Sequence, residues 1–281
     1  MLEYRDGQAG AELLRLQQVK KNLLSTLIDY CESHDIEWFL TAGSALGAVR
    51  HGDIIPWDDD IDVGILREDF ERLCEELTRD PIPGTFLQHW TSEPGFVLAC
   101  AILRLNDTYI EDNIAFEGLH RGISLDLFPY DRLPRGSAAI WLQRAILALL
   151  KLLITPWPYK PRPGWRFALK KGLRSAVRAV GSVVPITVLL RARDFFSRMD
   201  FLPKGELISS HFMYGIMKYR RTVVRLEDTL PTIEGRFGDL AVRLPANPDA
   251  FLRRLYGDYM RLPPEDQRRP MHIRKVVFGP E

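Results

Sequence analysis

No two of the three cysteines stand close enough in sequence to suggest a pair: Cys31, Cys74 and Cys100 are odd in number, widely spaced and outside any C-x-x-C motif. That excludes a disulfide framework and a zinc knuckle, and three reduced core cysteines in a cytoplasmic protein are expected. The opening "MLEYRDGQAG" has no apolar run, so no cleaved leader is expected. Long hydrophobic stretches are also missing. The nearest, "SAAIWLQRAILALLKLLIT", is shorter than the roughly twenty residues of a spanning helix and is interrupted by Arg144 and Lys151. Internal repeats, aromatics at strand spacing and a helix-turn-helix signature are all lacking, so no nucleic-acid partner is expected. One absence is local: between Asp131 and Asp194 there is no acidic residue, against thirteen Lys and Arg. Of the 38 basic residues, 25 are left to face all 37 acidic ones elsewhere. The net charge of +1 therefore conceals an acidic body with a strongly basic middle.

What is present is ordinary globular material, 46% hydrophobic and 27% charged, long enough for one large domain or one domain with an insertion. Residues 10–34 carry Leu13, Leu16, Val19, Leu23, Leu27 and Tyr30 at helical spacing, with Lys20 and Lys21 assigned to the outer face. "IEWFLTAGSALGAVR" reads as a strand through Leu40, a turn at Gly43-Ser44 and a short helical return. "DIDVGI" reads as a strand. "REDFERLCEELTR" reads as a helix with Phe70, Leu73, Cys74 and Leu77 inward. Further strands are expected in "GTFLQHW", "FVLACAILRLND" and "GISLDLFPYD". Residues 137–200 read as two Leu/Ala/Arg-rich helical segments joined by the Pro-rich "PWPYKPRPGW", and the stretch from Asp249 as a short helix ended by Pro263-Pro264. The basic segment is equally compatible with a helical subdomain packed on the body and with amphipathic helices on an anionic membrane surface.

The densest chemistry lies in "IIPWDDDIDVGI", residues 54–65, where four aspartates occupy five positions. Two carboxylates about 4 Å apart repel by about 4 kcal/mol at an effective dielectric near 20. In an extended segment Asp58, Asp60 and Asp62 project to one side, Asp59 and Ile61 to the other. Carboxylates so placed can converge on a hard cation such as Mg²⁺, which takes one or two of them and completes its shell with water and phosphate oxygens. A calcium loop does not fit: Val63 stands where glycine is required and Asp69 where a bidentate Glu is. Asp126, inside an apolar run, is either a strand-end cap before Pro129 or a third carboxylate of the same site. Gly43-Ser44 offers close backbone approach and a helix start where amides attract phosphate.

A Gly-Ser turn, then Asp-x-Asp on a following strand, then a third Asp on a later strand resembles the nucleotidyltransferase superfamily. The strings "LTAGSALGAVRHGDIIPWDDDIDVGI", "RGISLDLFPYDRLP" and "FLRRLYGDYMRLPP" together resemble the LicD family of phosphotransferases, to which fukutin-type proteins are related. The match covers roughly residues 36–131 and 249–264. The resemblance implies an α/β (α+β) fold with a nucleotidyltransferase-like mixed sheet flanked by helices. It also implies Mg²⁺- or Mn²⁺-dependent transfer of a phospho-alcohol such as phosphocholine. The donor would be a CDP-alcohol, for instance CDP-choline, and the acceptor a hydroxyl of a cell-surface glycan or its lipid-linked precursor. Carried over by position, Gly43 and Ser44 match the phosphate-gripping turn, Asp60 and Asp62 the metal pair, and Asp126 the third carboxylate. Ser124 departs from the bulky apolar residue common at its position and leaves Asp126 in register. Arg50 and His51 match a basic pair after the Gly-Ala turn.

Arg50 is thus a candidate donor contact, and Arg104 in "LRLND" another; each is also compatible with an ordinary structural role. Trp57 could stack on a base or choline group, while Asp58 and Asp59 read as supporting the turn. The expected organisation is a catalytic core over 1–135, a basic helical insertion over 136–200 and a completing segment over 201–281. The expected location is cytoplasmic, peripheral at the inner membrane face. Two rivals remain: a nucleotidyltransferase adding NMP to a small molecule or protein, and a non-catalytic polyanion- or membrane-binding protein.

Overall fold

The computed structural model describes residues 2, 4–5, 8–112, 118–154, 184–211 and 219–279. Strands β1 (Tyr4–Arg5) and β2 (Gln8–Ala9) precede helix α1 (Ala11–Ser33), then β3 (Trp38–Leu40), α2 (Ala42–His51), β4 (Asp62–Leu66) and α3 (Arg67–Arg79). Strands β5 (Thr85–Gln88), β6 (Ala101–Leu105), β7 (Tyr109–Asp112) and β8 (Ser124–Pro134) follow, then α4 (Ser137–Ile154) and α5 (Ile186–Arg198). The chain closes with β9 (Lys204–Ser209), α6 (Tyr219–Thr222), β10 (Val223–Arg225), β11 (Ile233–Phe237), β12 (Leu240–Leu244), α7 (Pro248–Tyr256) and β13 (Ile273–Val277).

A mixed seven-stranded sheet runs β10-β9-β8-β4-β3, with β6 also paired to β8 and β5 to β6. β4 and β8 are parallel, while β3 on β4 and β6 on β8 are antiparallel. The inner strands read as near-continuous apolar runs because helices and loops cover both faces: Val63, Ile65, Leu125 and Leu127 are fully buried. α3 turns Phe70, Leu73, Cys74 and Leu77 inward as its spacing demands. The mixed sheet flanked by helices is the expected class. The three cysteines are free and buried, and burial pushes the Cys31 thiol up to about 12.

The chain divides into two compact units: 1–130 with 207–281, and 131–206. In the second unit α4 packs on α5, where the Gln143 amide donates to the carbonyls of Phe196 and Ser197 at 3.1 and 2.8 Å. α4 is the one described helix long and apolar enough to cross a membrane. The Pro-rich link and residues 166–183 of the second expected helical segment lie outside the described residues, and α5 forms within the remainder of that segment.

Several expectations are corrected. Lys20 does not lie on the outer face of α1: it is 2% exposed, beside the equally buried Gln17. The acidic strand starts only at Asp62, and residues 58–61 form an irregular approach to it. β6 starts at Ala101 rather than at Phe96. The C-terminal helix ends at Gly257, whose φ of +77° suits a glycine there, well before Pro263.

Candidate active site

The parallel pairing of β4 with β8 puts Asp62 directly opposite Asp126. Paired residues share a sheet face, so the two carboxylates stand abreast although 64 positions separate them in sequence. The Asp126 amide donates to the Ile61 carbonyl at 3.0 Å, fixing this register where the acidic segment enters the sheet. Asp62 is 8% exposed, whereas Asp58, Asp60 and Asp126 are half-buried, so the group opens to solvent on one side.

The acidic residues alternate in direction. Burial, and then the charge of Asp60, raise the carboxyl pKa of both Asp58 and Asp62 well above the usual carboxylate range; Asp126 adds to the effect at Asp62. Asp126 is raised by burial and by Asp60, with Lys20, Arg104 and His272 opposing. Asp59 turns the other way and is fully buried. Its Oδ2 accepts the backbone N–H groups of His272 and Ile273 at 3.0 and 2.7 Å, tying the start of β13 beneath the acidic segment. Its Oδ1 has no hydrogen-bond partner among the described residues. The tie brings His272 Nε2 to 3.4 Å from Asp60 Oδ2, and ligand atoms of Asp59, Asp60 and His272 lie within 4.8 Å of one another.

Gly43 and Ser44 open α2, a ten-residue helix whose first amides have no intrahelical partner. A Cβ on Gly43 would come within 2.9 Å of Asp58 Oδ2, so only glycine leaves that carboxylate its position, while Asp62 Oδ2 at 3.8 Å would be in ordinary contact. The buried Ser44 Oγ accepts the Asp62 N–H at 2.8 Å, and the Thr41 amide donates to the Asp62 carbonyl at 3.1 Å. Both ends of the Asp62 backbone are therefore held by the strand-to-helix turn.

Two buried polar residues of α1 complete the floor. Gln17 Nε2 donates to the Asp58 carbonyl at 2.8 Å and, at 3.4 Å, to those of Ile55 and Pro56, shaping the acidic loop from below. Lys20 Nζ donates to the Ser124 carbonyl at 2.6 Å, and its charge opposes the upward shifts of Asp62 and Asp126. Three residues apart on one helix face, they were missed because polar side chains on an amphipathic helix ordinarily mark the solvent side.

The proposed donor contacts take distinct places. Arg104 is 6% exposed, bonded to Gln88 Oε1 at 2.9 Å and the Gly122 carbonyl at 3.0 Å, and its charge acts on Asp126. Arg50, half-buried in the last turn of α2, donates to the Tyr259 carbonyl at 2.7 Å and to His51 Nε2 at 3.0 Å. Burial, and then Arg50, lower the His51 pKa. Trp57 meets His51 edge-on at 5.6 Å, and the Arg268 guanidinium lies 5.7 Å from the centre of its indole. Tyr256, from the last turn of α7, also escaped sequence reading: although the residue is 41% exposed, desolvation around its phenol and the charges of Asp62, Asp58 and Asp60 raise its pKa.

Residues 35–131 match the family model described as LicD/FKTN/FKRP, nucleotidyltransferase domain. Over 283 aligned residues the chain is 26% identical to the lipopolysaccharide cholinephosphotransferase LicD of Haemophilus influenzae, covering 94% of this chain and 98% of that protein. It is also 49% identical over 51 residues to the human ribitol 5-phosphate transferase FKRP, a match covering 18% of this chain and 10% of that one. An uncharacterised protein of Rickettsia typhi is 53% identical over 67 residues, 22% of each chain. The ordered motifs, the paired Asp62 and Asp126, and similarity along nearly the whole of one relative converge on residues 35–131 as a domain of the LicD/FKTN/FKRP type.

Proposed function

We propose that this protein transfers a phospho-alcohol from a CDP-activated donor to a hydroxyl of a glycan or its lipid-linked precursor, with a divalent cation in the acidic site. The reading rests above all on the register of β4 and β8, which sets Asp62 beside Asp126 with Asp58 and Asp60 at hand. The donor set fits a hard cation: all-oxygen, partly open to solvent, and crowded enough that burial and mutual repulsion raise the proton affinity of Asp58 and Asp62. Asp60 and Asp62 are the residues that would hold Mg²⁺ or Mn²⁺, which when bound supplies charge neutralisation at the donor diphosphate.

The chain's own groups account for the remaining requirements. The free amides at the start of α2 receive phosphate oxygens, and Gly43 permits their close approach. Ser44 and Thr41 keep Asp62 from shifting as charge develops. Asp126 takes the proton of the attacking hydroxyl, a role suited to a carboxylate of raised proton affinity. The acceptor oxygen forms a bond to the phosphorus of the phospho-alcohol, the bond from that phosphorus to CMP breaks, and CMP leaves. Lys20 and Arg104, both buried, limit the cost of gathering these carboxylates. The names of the two characterised relatives, a cholinephosphotransferase and a ribitol 5-phosphate transferase, support the phospho-alcohol class.

The test is a panel of CDP-alcohols, including CDP-choline and CDP-ribitol, with Mg²⁺ or Mn²⁺ and candidate glycans. CMP release lost in Asp60→Asn and Asp126→Asn supports the reading. Release of pyrophosphate from nucleoside triphosphates, with no CMP from any CDP-alcohol, would replace it with nucleotidyl transfer.

A further inference from the structure

The 131–206 unit carries an apolar surface that its own folding does not explain. Along α4, Gln143, Leu147, Leu150 and Ile154 are buried, the face expected to pack. Ala138, Trp141, Leu142, Ala145 and Leu149 form a second stripe at helical spacing, and all five are exposed. Trp141 is 67% exposed, Leu142 47% and Leu149 54%, and no polar residue interrupts the stripe. Only 22% of the helix is buried. The rest of the unit repeats the pattern: Ile186, Val188, Phe195 and Phe201 are exposed, with Phe195 stacked on Phe201 at 5.5 Å between ring centres. Single exposed apolar residues need no explanation, but an uninterrupted stripe headed by a tryptophan does.

Charge identifies what covers it. From Arg132 to Arg193 the chain has thirteen basic residues and no acidic one. A second copy of the same unit would bring positive charge against positive charge. A surface with an apolar interior and negative headgroups suits both features, since apolar side chains enter the acyl boundary while Lys and Arg stay among the phosphates. We infer that the 131–206 unit is a membrane-docking module that lays the Trp141–Leu142–Leu149 face of α4 into an anionic lipid surface without spanning it. Arg144 and Lys151 lie within the same helix, so its polar positions remain at headgroup depth instead of crossing the acyl core.

The inference stands apart from the catalytic reading, because vesicle binding needs no turnover. The full chain is floated with vesicles of phosphatidylglycerol and phosphatidylcholine, and with phosphatidylcholine alone, at low and high salt. Binding is expected to the anionic vesicles and to weaken as salt rises. Trp141→Ser with Leu149→Ser should lower partitioning at least about tenfold. Trp141→Phe should retain it. Equal melting temperatures and circular dichroism of the variants show that the unit still folds, and unchanged CMP release shows that the catalytic site is untouched. Absence of binding at low salt, or equal binding by the double-serine variant, overturns the inference. So does a dimer in sedimentation velocity that the double-serine variant dissolves, which would assign the face to a second copy.

Discussion

Lys20 is the most exacting place to perturb, because its buried charge is justified only by the carboxylates opposite it. Lys20→Met keeps the side chain's length and removes the charge and the donor. The Ser124 carbonyl then loses its 2.6 Å bond, leaving a buried acceptor unsatisfied at a cost of about 1–3 kcal/mol. A second cost depends on pH. Burial and neighbouring carboxylates raise the pKa of Asp126, and that of Asp62 further, in the folded protein. The folded state therefore binds more protons than the unfolded chain across the window between the ordinary and the raised values, and stability falls as pH rises through it. Below the window the carboxyls are neutral and losing Lys20 costs the hydrogen bond alone. Above it the loss approaches the roughly 3–5 kcal/mol of a buried charge deprived of its partner. At about 2–4 °C per kcal/mol, the variant should melt about 5 °C below wild type at the acid end of that window and about 10 °C or more below it at the alkaline end, without divalent cation. Melting followed by circular dichroism measures both. A difference that is the same at the two pH values would refute the coupling of Lys20 to the acidic site.

Gly43→Ala should leave the melting temperature within about 2 °C, since the displaced atom ends a flexible side chain, yet cut CMP release at least about tenfold by moving the Asp58 carboxylate; full activity would contradict this. Asp59→Ala strips the acceptor from one buried and one partly buried amide at a cost of about 2–4 kcal/mol, and hydrogen exchange at Ile273 should accelerate measurably. Unchanged exchange would show that the tie does not hold β13. Saturating Mg²⁺ or Mn²⁺, at about a hundred times its dissociation constant, should add about 2.7 kcal/mol of stability. That gain should shrink as pH falls through the raised carboxylate window, where protons compete for the same oxygens; a pH-independent gain would place the cation elsewhere.

Legibility followed the range of the interactions involved. α3 could be read from Phe70, Leu73, Cys74 and Leu77 because its pattern is local and its other face is wet. The alternation of Asp58, Asp60 and Asp62 against Asp59 also survived, although the segment is irregular before Asp62, because neighbouring side chains in extended backbone still point opposite ways. Lys20 and Gln17 could not be read, since what buries them is a polar site built from residues 58–62 and 124–126. The partner of Asp59 was equally hidden: the tie to Ile273 spans 214 positions. The β11–β12 hairpin is different in kind. Its two-residue loop, Gly238-Asp239 between paired Phe237 and Leu240, is a local hairpin signal that was present and passed over.

The claim that most needs direct measurement is that the facing carboxylates of β4 and β8 hold a divalent cation. Titration of Mn²⁺ followed by electron paramagnetic resonance, with and without CDP-choline, counts bound ions with no need for turnover. One bound ion per chain is expected in the wild type, lost in Asp60→Asn and Asp62→Asn and weakened at least about tenfold in Asp126→Asn. Wild-type protein that binds no Mn²⁺ with donor present, or aspartate variants that bind it as the wild type does, would contradict the assignment.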